Sequence, residues 1–164
     1  MDGFITWLRS LLPGEVVAFL VSMLPIIEVR GAIPLAYAWG LSPWLAMPLA
    51  FLGNMLPVPF ILWFITPIFD ALKRTRLFKP LAEKMEQKAL GKQDRLAKGY
   101  FWGLMLFVGI PLPGTGAWTG ALLASLLRIP FKVAFVAITL GVVIATLLMT
   151  AFSYGLLDVI IGLF

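Results

Sequence analysis

Residues 26–34 read IIEVRGAIP. An acid and a base, Glu28 and Arg30, stand two positions apart, with no charge from Val16 to Ile27 on one side and none from Gly31 to Phe69 on the other. The lengths of those flanks decide the fold. A helix that crosses a membrane needs about 20 residues. The run before Glu28 has 12 residues, too few to cross. The 39-residue run after Arg30 would be about 58 Å long as one helix, against a hydrocarbon core of about 30 Å. It must break, and Gly40-Leu-Ser-Pro43 supplies the break. Two half-length arms, 16–27 and 31–40, are then joined at Glu28–Gly31 as a re-entrant hairpin, with Pro34 as a further breaker. A full span follows from Pro43 to near Asp70.

The second half has the same layout. The uncharged run 99–127 is interrupted by GIPLPGTGAWTG at 109–120, where Pro111, Pro113 and Gly114 argue against a continuous helix. Two arms, 99–110 and about 117–127, make a second hairpin, and Pro130 opens another long span. Gly31-Ala32 aligns with Gly116-Ala117, and Ala36 with Ala121, at an offset of 85; Gly53 pairs with Gly141 at an offset of 88. We read an internal repeat.

Composition agrees with this layout. Of 164 residues, 61% are hydrophobic and only 13% charged, against about 25% in an ordinary soluble domain. Mean hydropathy is +0.99. The expected class is an all-α integral membrane protein, one membrane domain over 1–164. Repeat 1 spans about 15–72, a cytoplasmic segment 73–98, and repeat 2 about 99–157. The start, MDGFITWLRSLLPGE, carries an acid at position 2 and no small-residue cleavage site, so no signal peptide is expected. The absence of cysteine and histidine removes thiolate chemistry and the commonest metal ligand and general base. We expect no cofactor, no metal and no enzymatic activity.

Nine of the 13 basic residues lie between Lys73 and Lys98. Basic loops stay in the cytoplasm. Leu77, Leu81 and Met85 recur at helical steps, so this segment reads as a basic amphipathic helix on the inner leaflet. It has no aromatic-interleaved basic motif, and no nucleic-acid partner is expected. One crossing then separates the two hairpins, so the repeats are inverted, a transporter architecture.

Glu28 and Arg30 thereby sit near the membrane midplane, where a charge costs at least about 2.5–3.5 kcal/mol. One reading is a mutual salt bridge that pins the tip. The other is a binding or coupling site. The second arms start near midplane at Gly31 and at Gly114-Thr115-Gly116, and their free N–H groups with Arg30 would make an anion site. Asn54, 11 residues into its span, lies about 16 Å deep and reaches the same level. The expected substrate-binding set is Arg30, Gly31, Asn54, Gly114, Thr115 and Gly116. A lipophilic cation would instead use Glu28 with the faces of Trp39 and Trp118. A third class is a non-transporting assembly factor. Two spans and two hairpins are too few to bury both tips, and small residues at Ala134, Ala137, Gly141 and Ala145 would let a second copy approach, or else serve packing within one subunit. A homodimer is expected, with membrane lipids and a small amphipathic substrate as the other partners.

The pairing of EVRGAIP with GIPLPGTGAWTG resembles the small multidrug export protein family, a relative of the DedA-like membrane proteins. The resemblance covers about Ala18 to Tyr154, through Glu28, Arg30, Gly31 and Pro34 in the first motif and Pro111, Pro113, Gly114, Thr115 and Gly116 in the second. It implies a multi-pass protein of a prokaryotic cytoplasmic (inner) membrane with a transport role. It also implies flipping of a polyprenyl-phosphate-like lipid, with proton coupling through a membrane acid, here Glu28. The second tip has no arginine, which departs from the DedA-like pattern.

Single-cysteine labelling checks the topology in a chain with no native cysteine. Positions 14 and 40 are expected to react only from outside, and 73–98, 128 and 132 only from the cytoplasm. Cytoplasmic labelling of position 40 would overturn the two-hairpin layout.

Overall fold

The computed structural model describes residues 12–73 and 93–156, and regular structure among them is helical. The helices are α1 (Gly14–Ser22), α2 (Glu28–Ala38), α3 (Pro43–Met55), α4 (Pro57–Lys73), α5 (Gln93–Gly109), α6 (Ala117–Leu126) and α7 (Phe131–Thr150), the last continuing as a π-helical turn, Ala151–Leu156. The amphipathic stripe expected at Leu77, Leu81 and Met85 lies outside the described residues.

The helices begin and end where the local chemistry requires. Proline opens α3 at its first turn and precedes α7 as its N-cap, positions where its missing N–H costs nothing. Helices α2 and α6 close with the same hydrogen bonds: Leu41 N–H donates to the Ala36 carbonyl (3.0 Å), and Ile129 N–H to that of Ala124 (2.9 Å). Gly40 and Arg128 supply the left-handed residue each closure needs, at φ 73° and 54°. Between Met55 and Pro57 the long segment is interrupted, because Pro57 and Pro59 have no N–H for the carbonyls of Gly53 and Met55.

Two segments are long and apolar enough to cross a membrane, Pro43–Ile65 and Phe131–Gly155. They run antiparallel. Tyr154 Oη donates to the Leu41 carbonyl at one end (2.8 Å), and Trp63 stacks on Phe131 toward the other (5.4 Å between centroids). Helices α1, α2 and α6, of 9, 11 and 10 residues, are each about half a hydrocarbon core long. The start of α1 lies beside the end of α2, with Gly14 against Trp39 and Leu41. Each first helix packs on the long segment of its own half, α1 on α3 and α5 on α7; each second helix packs on the long segments of both halves, α2 on α3 and α7, and α6 on α4 and α7. The core is largely alanine, with Val29, Ile33, Val58, Val108, Ile138 and Val142 filling the remainder. Outside, Trp44 (82% exposed), Trp63 and Phe64 face outward, as a lipid-facing surface requires.

Three expectations change. The first break lies at 23–27, around Pro25, and not at Glu28–Gly31; Glu28 opens α2 and Gly31 is inside it, its N–H bonded to the Ile27 carbonyl. Pro34 breaks nothing: α2 runs through it, because the proline φ is compatible with a helix and only one hydrogen bond is lost. The closing hydrogen bonds of α2 and α6 correspond at an offset of 88, pairing Ala36 with Ala124, where the sequence alignment pairs it with Ala121. The stripe Ala134, Ala137, Gly141 and Ala145 is buried within the chain, where Gly141 abuts the Met105 carbonyl and Val108 of α5. Gly53 does the same for α1, lying on the Phe19 carbonyl and Ser22.

A methyl group at either glycine meets backbone that cannot give. Gly53→Ala and Gly141→Ala should each destabilise by about 1–3 kcal/mol in thermal unfolding in mild detergent. Gly103→Ala, with open space around it, should be neutral or stabilise by up to about 1 kcal/mol.

Candidate functional site

Two helix breaks face each other, and the pair at the first one closes the second. Breaking α5 from α6 leaves carbonyls at the end of α5 and amides at the start of α6 without intrahelical partners. The Glu28 carboxylate takes the amides. Its Oε1 accepts from Trp118 N–H (3.1 Å) and its Oε2 from Ala117 N–H (3.3 Å). Arg30 takes the carbonyls. Its Nη2 lies 3.3 Å from the oxygens of both Val108 and Ile110 and 2.9 Å from Thr115 Oγ1, while Nη1 donates to Glu28 Oε2 at 2.7 Å. Each charge sits on the helix end of opposite polarity. The Thr115 hydroxyl accepts from Arg30 and lies 2.9 Å from the carbonyls of Ile110 and Leu112, to either of which it donates.

The contact is returned. Trp118 Nε1 donates to the Met23 carbonyl at the end of α1 (3.0 Å). Arg30 and Trp118, 88 positions apart, therefore each cap the first helix of the opposite half.

The backbone is bent to allow this. Glu28 has φ 51°, a conformation that costs a residue with a side chain about 1–3 kcal/mol and persists only where its surroundings hold it. Gly116, 88 positions on, also has positive φ, 145°. A Cβ on Gly116 would fall on the Glu28 carboxylate and the Arg30 guanidinium, so the absent side chain is the space the pair occupies. Glu28 is 2% exposed, and the Arg30 side chain 16%.

Of the expected site residues, Glu28, Arg30, Thr115 and Gly116 are brought together. Gly114, at φ 81°, shapes the turn between the two helix ends, with Pro111 and Pro113 before it. Gly31 is one turn into α2. Asn54 is buried (1% exposed), but no hydrogen bond joins it to the pair; neither its amide oxygen nor its nitrogen has a partner among the described residues. Sequence reasoning missed Trp118 as a donor and Met23, Val108 and Ile110 as acceptors, because backbone groups leave no trace in composition. It also missed that Glu28 itself occupies the start of α6. Among the described residues no group of histidine, cysteine or acidic side chains could hold a metal ion.

The stretch that carries this geometry, from Glu28 onward, is also what related chains share. A sequence profile of the family described as "Putative small multi-drug export protein" matches residues 28–148. The chain belongs to this family. It is a helical membrane protein, and the family description gives it a transporter-like role. No curated protein and no solved structure matches it. The family match begins at Glu28 itself and takes in the second helix break.

Gly116→Ala is expected to destabilise this member of the small multi-drug export family more than Gly114→Ala. The first drives a methyl group into a buried ion pair, at about 1–3 kcal/mol or more. The second meets open space and carries only the left-handed penalty, about 1–2 kcal/mol. Thermal unfolding of the two variants in one detergent checks the order.

Proposed function

We propose that this protein is a small membrane transporter that exchanges an amphipathic anion at the Glu28–Arg30 clasp, within an inverted repeat of two re-entrant hairpins. The observation that carries the reading is that the Glu28 carboxylate already holds every donor an incoming anion would need: the Arg30 guanidinium and the Ala117 and Trp118 amides. An anion and an ionised Glu28 compete for one set of donors. Protonation of Glu28 removes the competitor, so one proton accompanies each anion. Among the described residues Arg30 is the one charged side chain in ion-pair range of Glu28.

The repeat reading is supported by the matched helix closures at 40 and 128 and by Gly53 and Gly141 in like roles. A lipid phosphate is the favoured substrate, its headgroup at the clasp and its chain along Leu24, Ile26, Ile110 and Leu112, all exposed beside it. Ile26 is 93% exposed on an irregular tip, and such backbone at mid-membrane needs protein or water around it. A homodimer that covers the tips, in the inner membrane of a prokaryote, meets that need. The family description favours a second reading, export of lipophilic cations, in which Glu28 leaves Arg30 to meet the substrate.

Vesicles reconstituted with the protein and a fluorescent polyprenyl-type phosphate test the proposal, with a cationic dye under a pH gradient as the other arm. Arg30→Ala should lose about 10- to 100-fold in anion affinity at every pH, the worth of one or two charged hydrogen bonds. Glu28→Gln should keep binding and lose the pH dependence of transport. If the pair only pins the fold, each single variant leaves a buried charge unpaired at about 3–5 kcal/mol, and Glu28→Gln with Arg30→Gln should restore folding and activity together. A folded, inactive double variant supports the site. A folded, active one overturns it, and movement of the dye alone selects the cation reading.

A further inference from the structure

Three side chains outside the clasp are buried without partners among the described residues: the Asn54 amide, the Thr146 hydroxyl and the Ser153 hydroxyl. They are 1%, 5% and 0% exposed. Other hydroxyls in the helices are satisfied locally. Ser125, Thr139 and Thr150 donate to the carbonyl four residues back, at 2.9, 2.7 and 2.8 Å. Thr146 sits in the same kind of helix and does not. Ser153 lies in the π-helical turn, where the wider winding re-aims side chains; such turns are frequent at functional sites.

By depth the three follow one another along α7 and α3. Thr146 and Ser153 are seven residues apart, about two turns along the α7 segment. That segment runs antiparallel to α3, anchored by Tyr154 on Leu41 at one end and Trp63 on Phe131 at the other. Interpolating between the anchors sets Ser153 at the depth of the start of α3, Thr146 at that of Ala50 and Asn54 at that of Gly141; the π-helical turn that carries Ser153 packs on α2, where Tyr154 meets Tyr37. Gly141 is also the depth of the clasp: its carbonyl lies 3.4 Å from where a Cβ on Gly109 would stand, between Val108 and Ile110, whose carbonyls receive Arg30. Successive members of the three are then about 7–10 Å apart along the axis, which two or three hydrogen-bonded waters bridge. The residues between them on these helices, Ala46, Ala50 and Ala145, are small and buried.

Buried polar groups are hydrogen-bonded, to water where protein supplies nothing. Leu, Val and Ala would fill these positions without leaving an unmet group. We infer that Asn54, Thr146 and Ser153 line a narrow water-filled path along α7 where it packs on α2 and α3, running from beneath the Tyr154–Leu41 hydrogen bond to the depth of the Glu28–Arg30 clasp. Its occupant is water, and with water a proton. The path stands on these three side chains and not on the identity of any substrate.

The chain has no cysteine, so single cysteines can be placed in the full-length protein in vesicles and probed with a small, charged, membrane-impermeant methanethiosulfonate. The cysteine thiolate attacks the sulfur of such a reagent and expels methanesulfinate, and forming the thiolate needs water at the site. Ser153→Cys should react fastest, Thr146→Cys more slowly and Asn54→Cys slowest, all from the Leu41–Tyr154 side. All three should exceed by about tenfold or more Ala134→Cys and Ala137→Cys, which are equally buried within the apolar core. Adding Thr146→Leu should then cut the rate of the Asn54→Cys variant, whose thiol lies beyond the plug, by about tenfold. The same addition should leave the rate of Ser153→Cys, at the mouth, unchanged. Monodispersity in detergent establishes that each variant is folded. In folded protein, rates at 54 and 146 no higher than at 134 and 137 would overturn the path. So would a rate at position 54 indifferent to Thr146→Leu, or labelling only from the opposite side.

Discussion

A helix that stops inside packed protein leaves amides at one end and carbonyls at the other without partners. The Glu28–Arg30 pair answers both needs at once. The carboxylate takes two amides at the start of α6, the guanidinium takes two carbonyls at the end of α5, and the short bond between them neutralises the pair. Remove the pair and the break between α5 and α6 is unsupported. Remove the break and the two charges have no reason to be buried.

The rest of the packing is arranged around that contact. Gly116 has no side chain because the pair fills its place, and Glu28 holds a strained backbone because its carboxylate is anchored at three points. Trp118 returns a hydrogen bond to the end of α1, so the two breaks support one another. The helices that carry them come close through Gly53 and Gly141, each lying on a backbone carbonyl of its neighbour. Small residues allow these approaches, and in a lipid environment close backbone packing is the available source of helix association.

In the proposed function, the arrangement that stabilises the site is also what makes it responsive. A charge pair serving as a helix cap can be displaced by a ligand offering the same groups, and its strength depends on whether Glu28 is ionised. That is why a family described by export, a buried acid–base pair and two broken helices fit one reading. The three unpartnered polar groups along α7 and α3 obey the same hydrogen-bonding constraint: wherever protein does not meet a buried polar group, water has to.

The sequence by itself determined the class, the number of long segments, the half-length helices and the second break. Each follows from run length and from proline and glycine, which act within a few residues of where they stand. It also marked Glu28, Arg30, Thr115 and Gly116, because charges and paired glycines in an apolar chain are conspicuous. The position of the first break escaped it: Pro25 ends the helical run before Glu28, whereas Pro34 is accommodated within α2. The repeat register also came out three residues away at the closures of the second helices, since alanines recur often enough to align in more than one way. Only the tertiary structure decided what the pair touches. Its partners are main-chain groups some 78 to 90 residues away, and main-chain groups are the same in every residue. The burial of Asn54, Thr146 and Ser153 without partners was likewise invisible, because a hydroxyl or amide usually finds a carbonyl in its own helix, and only packing reveals where it does not.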